Sequence, residues 1–219
     1  MTEKVSHYKL IPPWEERDTY YYLPYENQKK GMEQLGGKYI TGGKHAALLG
    51  FLGSDEQQKV LDYMLHGKKI KVHDEKAAQI GLDSEPILFD WYNKTIESID
   101  HCGPAVSKKY PWLLCIADAR TKSGKGVVEF KTRKYINENI RKGRMPLKDY
   151  IQVQGEIKSY DVEWCDYIVY SWKTGEIIYM RIFPDDKYWD GMIVPSSIDL
   201  ISSKFKNHRL NDYAKTVHA

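Results

Sequence analysis

Cysteine is scarce: three residues in 219, Cys102, Cys115 and Cys165, widely separated and odd in number. That spacing builds neither a disulfide framework nor a CxxC metal site, and it points to a reducing, cytoplasmic setting. A four-cysteine iron–sulfur cluster is excluded by the same count. Long apolar runs are missing too. The opening MTEKVSHYKL lacks the hydrophobic stretch of a secretory signal, and no segment approaches a membrane span. Strong net charge is also absent, since 33 basic against 30 acidic residues leave only +3. The seven histidines show no zinc-ligand spacing. What is present is 42% hydrophobic content, enough for a sizeable core, in a chain whose length suits one domain, 1–219.

Residues 1–38 read as a polar, irregular lead-in with a cluster of tyrosines at 20, 21, 22 and 25 and a short helix near Lys29–Leu35. ITGGKHAALLG then predicts a Gly-Gly turn running into a helix from about Lys44, and Ser54 opens another that Gly67 ends. The spacing of Ile87, Leu88, Trp91, Tyr92, Ile96 and Ile99 predicts a helix over Leu82–Asp100, with Ser84 as N-cap and Pro86 in the first turn. Strands are expected at Trp112–Ala119 and Val127–Thr132 around the turn Thr121–Gly126. Pro146 begins a further helix. The runs Tyr167–Trp172 and Ile177–Phe183 form a hairpin, and a last helix spans Asp185–Phe205 with a break near Pro195. The tail from Lys206 to Ala219 reads as loose.

The chemistry concentrates in IADARTKSGKGVVEFKTRK, residues 116–134. Alternation along a strand puts Glu129 and Lys131 on one face, with Val128 and Phe130 on the other. Alone, this is an ordinary solvated edge. Asp118, across a tight glycine-bearing turn, changes the reading, because strand pairing brings it toward Glu129. Two carboxylates held together repel, and a divalent cation neutralises them. Phosphodiester hydrolysis needs hard oxygen ligands of this kind with a lysine nearby.

The pattern D-(x)10-E-x-K after a long helix resembles the PD-(D/E)XK nuclease superfamily. Flanking features are similar to its phage exonuclease branch, typified by lambda exonuclease and the YqaJ-type viral recombinases: Ile40–Gly50 (ITGGKHAALLG), Glu85-Pro86, and Tyr150-Ile151-Gln152-Val153-Gln154. The chain departs from that branch at Ile116-Ala117-Asp118-Ala119, where Ser-Pro-Asp-Gly is usual. It also offers only Lys38 where an arginine precedes the N-terminal turn.

The resemblance implies an α/β restriction-endonuclease-like core, a mixed central sheet flanked by helices. It implies an exonuclease that degrades one strand of linear duplex DNA, 5′ to 3′, to give single strands for recombination. Two Mg²⁺ ions, with Mn²⁺ as a substitute, would be held by Asp118, Glu129 and the Phe130 carbonyl. Lys131 would orient water, and Glu85 and Gln154 would complete the site. Gly43, Lys38 and Lys44 would meet a terminal phosphate. A phage origin, a homo-oligomer such as a trimeric ring, and a single-strand annealing protein as partner follow from the same likeness.

Plainer alternatives stand beside these. Glu85 at a helix start equally suits the helix dipole, Gln154 on an apolar stripe equally suits a core backbone group, and Gln152 reads as a surface residue. From Arg120 to Lys148 ten basic residues face two acidic ones. Arg133, Arg141, Lys142 and Arg144 in this stretch suit a phosphate track or a solvated face. An endonuclease on the same core, or an inactive DNA-binding module, are the rival functions.

Overall fold

The computed structural model describes residues 13–28, 35, 37–70 and 74–216. In chain order come β1 (Glu15–Glu16), β2 (Tyr20–Tyr22), a 3-10 turn (Tyr25–Asn27), β3 (Ile40–Thr41), α1 (Gly42–Leu48), α2 (Ser54–His66) and α3 (Glu75–Thr95). β4 (Ile99–His101), β5 (Ala105–Ser107), β6 (Leu113–Cys115), β7 (Ala119–Thr121) and β8 (Gly126–Arg133) follow, then α4 (Glu138–Arg141) and α5 (Leu147–Tyr160). β9 (Trp164–Ser171), β10 (Ile177–Ile182), α6 (Asp186–Tyr188), a π turn (Trp189–Ile193), α7 (Val194–Lys204) and α8 (Arg209–Thr216) complete it.

The mixed α/β class is as expected, but the strands form two five-stranded sheets rather than one. Their orders are β1-β2-β5-β6-β3 and β10-β9-β8-β7-β4. In the second sheet, β8 and β9 run parallel in unbroken register from Gly126↔Trp164 to Arg133↔Ser171. A parallel pair needs a crossover, and α5 supplies it. Alternation along β8 divides its side chains between two layers. Val128 and Phe130 pack with Leu88 and Tyr92 of α3, and Val127 belongs to the larger core shared with α5. Because α5 also packs against β5 and β6, it ties the two sheets together.

Several boundaries differ from the sequence reading for identifiable reasons. The lead-in is not wholly irregular: Tyr20–Tyr22 pair with Ala105–Ser107, so aromatic residues that read as a cluster form a strand. Of the helix expected near Lys29–Leu35, all but Leu35 lies outside the described residues. Trp112–Ala119 is not one strand. β6 ends at Cys115, and the chain passes through Ile116–Asp118 into the other sheet, where β7 begins. The long helix starts a full ten residues before Glu85, at Glu75, where the Asp74 side chain accepts from the Ala77 amide. Ser84 is therefore mid-helix and donates to the Ile80 carbonyl. Pro86 sits inside the helix, and the helix ends at Thr95 so that Ile99 can open β4. The break near Pro195 is the π turn that precedes it. The tail from Lys206 includes α8, anchored by the buried Leu210.

His45 of α1 fastens the C-terminal helices to this frame. It is fully buried, 2.8 Å from Ser197 Oγ through Nε2. Ser197 donates its own hydrogen to the Ile193 carbonyl, so Nε2 carries the imidazole proton, and Nδ1 has no partner among the described residues. Burial lowers this histidine to about 4. The unfolded chain, with an ordinary value near ~6.5, therefore binds more protons between those limits. The stability from keeping His45 neutral is complete above the unfolded value and is lost as pH falls toward 4, by about 3 kcal/mol. Urea titrations from pH 7 to 4 should show a shallower stability slope for His45→Leu than for the native chain; equal slopes would place the acid sensitivity elsewhere.

Candidate active site

β7 and β8 pair antiparallel with Ala119 opposite Val128, and the Asp118 amide donates to the Val128 carbonyl. This register carries Asp118 to Glu129, as the tight turn predicts. One Asp118 oxygen accepts from the Phe130 amide at 2.6 Å. Glu129 is buried although it lies on a strand rich in polar residues, because α5 covers that face. Lys131, two residues on, donates to Glu129 Oε1 at 2.5 Å.

The residue that completes this group is Gln152, not Gln154. Gln152 donates from Nε2 to Glu129 Oε1 at 2.7 Å and to Glu156 Oε1 at 2.9 Å, and its Oε1 accepts from Lys131 at 3.1 Å. The two carboxylates fix which way the amide points. Gln154, two positions on, faces away. It donates to the Phe183 carbonyl and accepts from the Asp185 amide, holding the end of β10 to α5. The sequence reading placed Gln154 in the site through the resemblance, with a core backbone group as the plain alternative; the contacts of Gln154 match that alternative, and the second sheet that covers Gln152 could not be seen. Glu156 was missed for the same reason. The available signal was its position four residues after Gln152.

Electrostatics make the group unusual. Burial, then the charge of Glu129, raises Asp118 well above the usual carboxylate range. Burial and the same Glu129 charge raise Glu156 well above it too, with Lys131 and Gln152 pulling the other way. Glu85, near the open rim of α3, is raised by desolvation and by Glu129. Desolvation opposes the Lys131 ammonium, but Glu129 beside it raises its pKa. Glu129 Oε2 is buried without a hydrogen-bond partner among the described residues. No group of three or more His, Cys, Asp or Glu side chains poised for a metal occurs among those residues. The donor set on offer is two carboxylates with one orphaned oxygen, plus the Phe130 carbonyl. It fits a hard cation completed by water and substrate oxygens.

The remaining predicted residues scatter. Gly43 borders the site, since its nearest neighbour on the side-chain side is Gln152 Oε1. Lys38 is exposed just before β3, whereas Lys44 is half-buried with its ammonium 4.7 Å from the Tyr63 ring centre, and burial lowers its pKa. The basic stretch is not a free track. Folding brings carboxylates from outside it: Arg133 meets Asp149 at 2.6 Å, Arg141 meets Glu176 at 2.8 Å, Lys122 meets Asp100 at 3.7 Å and Lys125 meets Glu163 at 3.6 Å. Lys142 meets Glu138 at 3.4 Å. Arg144 and Lys148 are exposed with no carboxylate partner among the described residues.

Two measurements follow from this geometry. Gln154→Leu should lower stability by about 1–3 kcal/mol, because the part-buried Phe183 carbonyl and Asp185 amide lose their partner. Gln152→Leu should spare stability and instead disturb Lys131; the reverse pattern in thermal melts would restore Gln154 to the site. Carboxylates raised in the folded state stabilise it at low pH and lose that contribution as pH rises through the folded value. As pH rises, therefore, Mg²⁺ should increasingly raise the melting temperature of the native chain, by about 2–4 °C for each kcal/mol of relief. Asp118→Asn should melt higher without metal and respond little to it. A metal-insensitive native chain would show that the cluster holds no cation.

No protein-family model and no curated protein sequence matches the chain. Solved structures do. An alkaline exonuclease (LHK-Exo) from Laribacter hongkongensis superposes with a TM-score of 0.63 at 17% identity, covering 87% of this chain and 96% of that one. The same protein in complex with dAMP gives a TM-score of 0.58, covering 85% and 92%. A phage-related exonuclease from Haemophilus somnus 129PT gives 0.57 at 12% identity, covering 85% and 98%. At such identities the likeness establishes the fold alone: the chain shares the fold of these structures over nearly their whole length.

Proposed function

We propose that this chain is a divalent-metal-dependent deoxyribonuclease that degrades one strand of linear duplex DNA from an end. The observation that carries the reading is the meeting of Asp118, just before β7, with Glu129 and Lys131 of β8, one Glu129 oxygen being buried and unpartnered among the described residues. The fold shared with two exonucleases supports it.

On this reading Asp118, Glu129 and the Phe130 carbonyl would hold Mg²⁺, or Mn²⁺ in its place. The ion supplies Lewis-acid polarisation of the phosphate and activation of water. Lys131 has three N–H donors, of which Glu129 and Gln152 take two, leaving one for a phosphate oxygen or the attacking water. Gln152, itself fixed by Glu156, keeps the ammonium from collapsing wholly onto Glu129. Glu85 at the rim accepts a hydrogen from the water, and its raised pKa suits a group that later returns the proton. Exposed Arg144 and Lys148, with no carboxylate partner among the described residues, are well placed to meet the phosphate backbone, ahead of Arg133, Arg141 and Lys142, which have carboxylates of their own. Recombination supplies the use for the resulting single strands, and an annealing protein would consume them.

Linear duplex should be digested in Mg²⁺ while covalently closed circles survive, since a circle offers no end. In single-turnover assays Asp118→Asn and Glu129→Gln should lose several orders of magnitude, and Lys131→Met about 10²–10³-fold, the range for removing one preorganised donor. Nicking of supercoiled circles as fast as linear digestion would turn the reading to an endonuclease. DNA binding with no hydrolysis under any metal would turn it to a binding module.

A further inference from the structure

Beside the carboxylates three rings form a column. His101, the last residue of β4, lies between Phe89 of α3, with ring centres 4.5 Å apart and planes at 25°, and Tyr25, at 4.8 Å and 15°. Phe89 stands one helical turn after Glu85, on the same face of α3. His101 pairs in register with Ala119, the residue that follows Asp118. The charge of His101 reaches Glu85 and lowers its pKa, against the larger upward pull of desolvation and Glu129. One end of the column therefore stands at the rim of the proposed site.

The other end is open. His101 is stacked by both Phe89, which is partly buried, and Tyr25, which is 49% exposed and among the described residues stacks on no ring but His101. This exposed ring is held rigidly. The Leu23 amide donates to the Pro104 carbonyl at 2.9 Å, and the Gly103 amide donates to the Tyr22 hydroxyl at 3.2 Å. A Cβ on Gly103 would fall 1.8 Å from the Leu23 carbonyl oxygen and 2.9 Å from the Tyr25 nitrogen, so only glycine lets the two segments lie this close. An aromatic ring fixed by its backbone, stacked on one side and half exposed, is suited to being stacked upon.

We propose that the Tyr25–His101–Phe89 column is a nucleobase-stacking platform, and that the free face of Tyr25 receives the terminal base of the strand whose backbone lies at Asp118 and Glu129. The proposal rests on the nuclease reading for its choice of ligand. Every base has a π face, so such a contact is tolerant of sequence. Bases inside a duplex have both faces covered, and only an end or an unpaired base has one to offer, which is what an enzyme working from ends must find.

The test uses a metal-free duplex carrying 2-aminopurine either at its terminus or at mid-length, with the native chain, Tyr25→Leu and Tyr25→Trp. Leucine keeps much of the bulk and removes the π face; tryptophan restores it. The native chain and Tyr25→Trp should quench the terminal probe and leave the central one unchanged. Tyr25→Leu should leave both unchanged and bind duplex ends about tenfold more weakly, within the range of a single base–aromatic stack. Equal terminal quenching by the native chain and Tyr25→Leu would overturn the platform, and so would quenching of the central probe as strong as that of the terminal one. Hydrolysis measured in parallel keeps the two readings apart. A native chain that quenches through Tyr25 yet cleaves nothing in Mg²⁺ overturns the nuclease assignment and leaves the platform standing.

Discussion

The ion pair between Lys131 and Glu129, backed by Gln152, is the interaction on which its surroundings depend. Asp118 and Glu156 crowd the same region, and both are pushed toward their neutral forms by burial and by the Glu129 charge. Without the ammonium, Glu129 would be a buried anion with no counterion, a costly arrangement in a low-dielectric interior. With it, the group is only partly satisfied, since one Glu129 oxygen still lacks a partner. A network left incomplete in this way is unfavourable as a core and useful as a site.

That incompleteness is sustained by the parts of the fold that give least. β8 and β9 hold each other residue by residue along their length, α3 closes one face of β8 through Leu88 and Tyr92, and α5 closes the other. Tyr92 is further tied to the sheet by a 2.5 Å hydrogen bond to Asp166, which Arg181 also grips with two nitrogens. Strain and unmet polar groups persist where the frame around them is over-determined, and the two helices and the parallel strand pair provide such a frame.

The sequence made some of this legible and concealed the rest. Alternation in Val128–Glu129–Phe130–Lys131 correctly sorted the strand's two faces, because a strand's period depends only on local backbone geometry. The Asp118–Glu129 approach was readable from a short turn. What failed depended on distant chain. The choice between Gln152 and Gln154 turned on which side of α5 each sheet would cover. Asp149, Glu163 and Glu176, which neutralise much of the basic stretch, lie between 16 and 38 residues from their partners. The start of α3 was misplaced because Pro86 reads as a first-turn residue, whereas a helix held on both sides by Asp74 capping and core packing tolerates it inside. The strand at Tyr20–Tyr22 was hidden because its partners, Ala105–Ser107, are far along the chain.

Cys115 ends β6 with its sulfur wedged between two helices. A Cβ on Gly42 of α1 would lie 2.9 Å from that sulfur, and one on Gly155 of α5 would lie 3.4 Å from it. The thiol thus acts as a spacer that sets how closely α1 can approach α5, and with it how closely Gly42 and Gly43, which open α1 where a turn before Lys44 was expected, approach Gln152. Three positions far apart in the chain share one small volume. Enlarging any of them must be met by shrinking another, so residues 42, 115 and 155 are free to drift only in concert. A chain that keeps this fold but carries a bulkier residue at 115 would have to hold its first helix at a different height above the carboxylates.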